Sequence, residues 1–530
     1  MKLYINGKIH SMDASGSVYS ALCEEDGKIL GLGDEKDLIS RYPCAETVDL
    51  QGKTVIPGII DTHAHLFAAA LSEKTRKLFI PKSVSELLSD LKERVKSLPE
   101  GEWVIYKNTY VLRLSELRFP TREELDAAAP KNPVVVDGYY ASQLNTVALN
   151  MIDFEKLPKG AGVEYNDDGS MTGLLKCANP YVTSFVDFGD GCYKKALAAL
   201  MHEYNKCGIT SVIDARSPLD NIKTMKEFQD DGAQTVRVRY TLPANPDLIE
   251  ATLGTDMGNP ELSRAEFVKD FLDGGFLTGT AFMQYPYKNV REVFGIDTKG
   301  KEEYGMAQFT VDELCESICL ARKHGLKYCA HCVGSAATQR LLYAYKHIDN
   351  EQKIKGERHA LIHADFLDDS MVGQANDMGV SVLFQPAWHY MDAPALEKVL
   401  DERDASRFMR YDVIMNAELY GAGSDHMVKF DPDESVNPYN PFTGMYNMVT
   451  CRARDGKQYG AEARISRDAA LEAYTRKAAY VSSDEELTGT LEVGKRADFA
   501  VLDRDYFTCP EEEIPLIRAD MTVFDGKRVV

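Results

Sequence analysis

The sequence has no surplus of positive charge: its net charge is −21. A basic surface is what non-specific nucleic-acid binding requires, so no nucleic-acid partner is expected. It has no apolar run of the roughly 18 residues that a membrane-spanning helix needs, and no membrane partner is expected. Its first residues, Met1-Lys2-Leu3-Tyr4-Ile5-Asn6-Gly7, lack the apolar stretch of a signal peptide. A glycine-rich phosphate turn is also missing. Gly31-Leu32-Gly33 wants a third glycine, and no P-loop occurs. The eleven cysteines are odd in number and scattered, which fits reduced thiols and a cytoplasmic protein. Cys329 and Cys332 have CxxC spacing, but three residues along a strand means opposite faces, which argues against a redox or zinc-ribbon pair.

With 530 residues and 44% hydrophobic content, the chain can bury a large core and form more than one domain. Both ends read as β structure. Leu3 to Ile9 holds an Asn6-Gly7 turn, predicting a hairpin, and a second predicted hairpin turns at Asp26-Gly27. Ala497-Asp498-Phe499-Ala500-Val501-Leu502 and the run 521–529 have the same texture. One discontinuous β-sandwich-like domain is therefore expected from residues 1–55 and 484–530.

Between them, at residues 56–483, a unit recurs: amphipathic helix, glycine, apolar strand, polar residue at the strand end. The clearest copy is a helix over 311–324. Thr310 and Glu313 form its capping box, Val311, Leu314, Ile318 and Ala321 its buried stripe, and Gly325 its stop. Segments 194–214, 370–385 and 405–425 repeat the pattern. Helices alternating with strands imply parallel strands and right-handed crossovers. Polar strand ends point to a (β/α)8 TIM barrel with its site at the C-terminal face. About 140 residues separate the first predicted barrel strand from the second, too many for one unit, so an insertion at about 67–192 is expected to cover the barrel mouth.

That first strand carries the residues on which the rest turns: Ile59-Ile60-Asp61-Thr62-His63-Ala64-His65. A period of two puts His63, His65 and Asp61 on one face, and paired imidazoles at a strand end can hold a divalent metal. Later strand ends supply more donors: His331, His363 and Asp425. Each has an ordinary alternative, a satisfied core histidine or a turn aspartate. On composition alone Lys269, in a strand-like run 266–274, reads as a surface lysine.

Taken in order (two His, Lys, His, His, Asp), these residues resemble the amidohydrolase superfamily of metal-dependent hydrolases. Residues 55–66, 208–214, 231–238, 268–287, 358–363, 385–386, 423–425 and 489–503 look closest to its family 3 branch, which includes N-substituted formamide deformylase. The resemblance implies roles. His63, His65 and Asp425 would bind one metal, and His331 and His363 a second. Lys269 falls where many members carry an N6-carboxylysine bridging two metals; a neutral amine, or an ion pair with Asp270 or Asp273, is the competing role. Where the branch usually has a glutamate, this chain has Cys177, which would either bridge metals as a thiolate or pack as an apolar residue. Where it usually has a histidine, this chain has Tyr139 and Tyr140, and Tyr140 could donate to a developing oxyanion. His389, Tyr287 and Trp388 are substrate-pocket candidates by position.

Zinc, one ion or two, suits the donor set best, with manganese or iron as alternatives. The expected reaction is cleavage of a C–N bond (amide, N-acyl or N-formyl) in a small molecule by a metal-activated hydroxide, with Asp425 as base and then acid. A deaminase or a non-hydrolytic enzyme (isomerase, dehydratase or decarboxylase) is the alternative on the same scaffold. A metal-binding protein without catalysis is the third. A homodimer is the default expectation for a soluble enzyme.

Overall fold

A computed structural model describes residues 1–72, 79–158, 160–185 and 193–530. Its largest sheet has eight strands, β1 (Ile59–Ala64), β2 (Ile209–Asp214), β3 (Arg237–Pro243), β4 (Ser263–Phe271), β5 (Lys327–Cys332), β6 (Ala360–His363), β7 (Ser381–Phe384) and β8 (Tyr420–Ala422). They lie side by side in chain order, and every neighbour pair is parallel. Just beyond β8, a parallel bridge between Ala64 and His426 spans the seam back to β1. The result is a nearly closed α/β barrel.

Alternate residues decide what fills the barrel. Phe267 of β4 and Cys329 of β5 join Ile213, Ala360, Ile362, Leu383 and Val481 in one apolar cluster. One strand step toward the N-terminal end of β5 lies Lys327. One step toward the C-terminal end of β4 and β5 lie Lys269 and His331. Cys329 and Cys332 do fall on different faces: Cys329 belongs to this cluster and Cys332 to the larger core.

The helices follow the sequence pattern where a capping box or a glycine stop fixes them. The helix before β5 is Val311–Lys323, with the Thr310–Glu313 box in place and Leu314, Ile318 and Ala321 buried. The helix before β7, Asp369–Met378, stops at Gly379 with φ +65°. The expected helix at 405–419 is instead two single turns, Glu402–Ala405 and Tyr411–Ile414. Met409 breaks it with φ +47°, and its N–H turns away to Asp365 O at 2.8 Å.

Two further sheets are built from the ends of the chain, one from both ends and one from the N-terminal end alone. A six-stranded sheet sets Phe499–Leu502 and Ala519–Phe524 beside Thr54–Pro57 and Lys8–His10. Opposite it is a four-stranded sheet of Lys28–Gly33, Ala21–Glu25, Lys2–Ile5 and Glu46–Asp49. Tyr4, Leu22, Val55, Phe499 and Val523 pack between them. The Asp26-Gly27 hairpin forms. The Asn6-Gly7 hairpin does not: Lys2–Ile5 and Lys8–His10 belong to different sheets, and the turn carries the chain from one to the other.

The insertion builds a five-stranded sheet with Val134–Asp137 and Ala141–Leu144 near its middle and a separate core around Val135, Leu144 and Leu175. Its expected end, near residue 192, lies outside the described residues. No helix among the described residues is long and apolar enough to cross a membrane.

Candidate metal centre

The C-terminal ends of β1 and β8 meet closely enough to exclude side chains between them. A Cβ on Gly423 would lie 2.5 Å from the His63 nitrogen. That approach lets the Asp425 N–H donate to His63 O at 2.7 Å and the His65 N–H to His426 O at 2.8 Å. Asp425 is held at φ +54°, a conformation only a well-anchored non-glycine residue keeps. Its Oδ1 then sits 3.3 Å from His63 Nε2 and 3.4 Å from His65 Nε2. These are three donors of metal-ligand type within 4.8 Å of one another. Asp425 Oδ2 and backbone carbonyl are taken by Asn437 Nδ2 at 3.3 and 2.8 Å, whereas Oδ1 has no hydrogen-bond partner.

Asp61 is not a fourth donor, although the strand period placed it beside the histidines. Its carboxylate accepts from the His63 N–H, the Ser424 N–H and the Ser424 hydroxyl at 3.1, 3.0 and 2.6 Å, which ties β1 to the loop after β8.

Lys269 is no surface lysine: only 1% of it is exposed. Its Nζ lies 3.2 Å from His63 Nε2. The competing ion pairs are absent, because Asp270 accepts from Tyr328 OH and Asp273 accepts from the Phe282, Val333 and Gly334 N–H groups. Burial lowers the Lys269 amine to about 8.

His331 and His363 stand next to this cluster, their ring centroids 4.4 Å apart. Hydrogen bonds fix their tautomers. Gln385 Oε1, 2.6 Å from His363 Nδ1, can only accept, so Nδ1 carries the proton and Nε2 is left with its lone pair. Gly274 O, 3.1 Å from His331 Nε2, likewise puts the proton on Nε2, and His331 Nδ1 accepts from Tyr140 OH at 3.0 Å. Burial pushes His63 and His331 down to about 3 and His363 well below its ordinary value, so all are neutral, the form that binds metal. Burial alone would raise the Asp425 carboxyl. The His63 and His65 imidazoles beside it outweigh burial and hold the group well below the usual range.

The pocket over these residues is small, a cavity of about 10 Å³. Tyr110, Tyr139, Tyr140, Phe271, Trp388 and Met427 form its walls. Three candidates fall elsewhere. Cys177 Sγ contacts Met306 Sδ at 3.5 Å and is not in the pocket wall, and burial raises its thiol to about 11, the opposite of a ligand thiolate. His389 Nδ1 accepts from Asn447 at 2.9 Å and its ring stacks on Phe408, so it is a satisfied core histidine. Tyr287 donates its hydroxyl to Ala281 O at 3.0 Å. The sequence reading missed Tyr110, Phe271 and Met427 in the wall and Gln385 behind His363. Only Gln385 left a signal, as the polar residue that ends β7.

Residues 46–530 match the profile of the amidohydrolase family. The N-substituted formamide deformylase of Arthrobacter pascens is 24% identical over 540 residues, covering 99% of this chain and 97% of the relative. Among solved structures, an uncharacterized metal-dependent hydrolase from Pyrococcus horikoshii OT3 aligns with TM-score 0.71 at 22% identity, covering 96% of this chain and 99% of that one. Atrazine chlorohydrolase TrzN from Arthrobacter aurescens TC1, complexed with zinc, aligns with TM-score 0.57 at 15% identity, over 100% and 95% of the two chains.

Proposed function

The chain belongs to the amidohydrolase family of hydrolases, and from that premise we propose that it cleaves a C–N bond, an amide, N-acyl or N-formyl bond, in a small molecule. The observation that carries this reading is the convergence of His63, His65 and Asp425 beside a buried lysine that has no acidic partner. The residues fit a divalent cation: neutral imidazoles, one ionised carboxylate, and an unpartnered Asp425 Oδ1 at the point where they meet. His63, His65 and Asp425 would hold one cation. His331, His363 and a carboxylated Lys269 would hold a second.

Zinc suits this donor set, and such a cation lowers the pKa of a water from ~16 toward ~7. Asp425 takes a proton from the attacking water. It returns that proton to the leaving nitrogen as the C–N bond breaks, giving a carboxylate and an amine. Burial holds Tyr140 protonated, so its hydroxyl can donate to the oxygen that gains charge in the tetrahedral intermediate. The aromatic walls keep bulk water from the reacting carbon.

A second reading has one observation in its favour. Tyr140 occupies the Nδ1 of His331, which leaves a single three-donor set and suits a one-metal deaminase. Metal content and products separate the two. About two metals per chain in protein purified without chelator, falling in Lys269→Ala and unchanged in Cys177→Ala, with an amine and a carboxylate released from a panel of small amides, is the expected result. One metal in all three proteins, with ammonia as the product, overturns it.

A further inference from the structure

The loop that leaves β2 is pinned at every residue. The Ala215 N–H donates to Ala64 O at 2.7 Å, the Arg216 N–H to Thr241 Oγ1 at 2.5 Å, and the Ser217 N–H to Thr241 O at 2.9 Å. The Ser217 hydroxyl donates to the Asp214 carboxylate. Within this frame Arg216 adopts φ +64°, a left-handed conformation that strains a non-glycine residue. The strain fixes where its side chain goes. The guanidinium lies over Phe271, with Cζ 5.5 Å from the ring centroid, and the residue is exposed.

Phe271 is a wall of the candidate active-site pocket. Its ring is 5.4 Å from the His331 ring, and the Lys269 Nζ is 5.0 Å from its centroid. Arg216 therefore stands one aromatic ring away from the metal-binding residues, at the mouth. It has no acidic partner among the described residues. Three buried arginines differ: Arg113, Arg237 and Arg239 each grip a carboxylate through two nitrogens. In a chain whose net charge is −21, leaving an arginine unpaired beside a pocket runs against composition. A guanidinium stacked on a ring keeps its N–H edge free, in the geometry that reads a carboxylate with two hydrogen bonds. Arg216 is outside the pocket lining, whose walls above Lys269, the histidines and Asp425 are three tyrosines, Phe271, Trp388 and Met427.

We propose that Arg216 is a substrate-anion site: the amide carries a carboxylate, separated from the scissile bond by an apolar or aromatic body that fits the walls. This rests on the amide-hydrolase reading, and the test separates the two. The probes are 4-(formamidomethyl)benzoate and its uncharged counterpart, in which a carboxamide replaces the carboxylate. Formate release is followed with the metal-loaded full chain, and binding is followed by calorimetry in the metal-loaded Asp425→Asn background, where turnover does not interfere. The carboxylate probe is expected to gain about tenfold or more over the carboxamide in both kcat/KM and affinity. Arg216→Gln closes both gaps while leaving the carboxamide probe unchanged, which controls for folding. Arg216→Lys keeps part of them. Equal handling of the two probes by the wild-type side chain, or a gap that survives Arg216→Gln, overturns the anion site even if formate is released. An Arg216-dependent binding gap with no formate from either probe keeps the anion site and overturns the amide reading.

Discussion

Both ends of the barrel bury charge, and they use it in opposite ways. At the base, Arg237 grips Asp498, Arg239 grips Asp484, Arg264 bridges Asp484 and Glu266, and Lys327 pairs with Glu266. Every cation there has a carboxylate within 3.0 Å. At the mouth, His63 and His65 meet one carboxylate, Asp425, which has an oxygen left over, and Lys269 has no acidic partner among the described residues. A strand step or two, filled by Phe267, Cys329 and Ile362, separates the ends. Burial alone therefore does not mark function. Pairing does: the base spends its charge on holding the C-terminal segment, and the mouth leaves its charge unspent.

The sharpest break of this contrast is Asp425→Asn. It keeps the shape and removes the proton acceptor, so turnover is expected to fall by about a thousandfold or more while most of the metal stays bound. Metal analysis and steady-state rates on the same preparation check it; full activity would remove Asp425 from the chemistry. Next in size is Asp484→Ala at the base. It strands the buried Arg239, while Arg264 keeps Glu266, and the expected cost is about 3–5 kcal/mol of stability, with metal content untouched. Urea unfolding gives the first quantity and metal analysis the second. A loss of metal there would mean that the two ends are not independent.

How much of this the sequence displayed depends on the range of the interaction involved. The His63–His65 pair was legible because a strand's period is local, and the helix before β5 because Thr310 and Glu313 satisfy each other within one turn. The Asn6-Gly7 turn was equally local, but strand partners are not. Lys2–Ile5 finds Ala21–Glu25 rather than Lys8–His10, so a correct turn led to a wrong hairpin. Trp388 and His389 were both proposed for the pocket. On the helix Pro386–Asp392 neighbours point about 100° apart, so only Trp388 faces it. The left-handed backbone at His363, Asp425 and Arg216 leaves no trace in residue type, since none is glycine. Whether Lys269 was paired could not be read at all, because its possible partners, Asp270 and Asp273, are committed to Tyr328 and to backbone N–H groups.

That missing partner yields the finest test of the contrast, in metal-free protein. Burial lowers Lys269 from its ordinary 10.5 to about 8. Between these values the unfolded chain holds more protons than the folded one, so stability rises with pH across that window; below about 8 the full penalty of a buried cation persists without further slope. Lys269→Met has neither penalty nor slope, and at neutral pH it is expected to be more stable than wild type by up to roughly 3 kcal/mol. Buried thiols and phenols titrate in the same range, but they do so in both proteins and cancel in the difference. Urea unfolding of the two between neutral pH and the ordinary lysine value checks this, and parallel curves would mean that the amine is not buried unpaired. The same penalty has a chemical return. Carboxylation forms an N–C bond between a neutral amine and CO2 with loss of one proton, and a pKa near 8 instead of 10.5 raises the neutral fraction at pH 7 by roughly two to three powers of ten. A base-type lysine, paired as Lys327 is with Glu266, carries a carboxylate neighbour that favours its charged form.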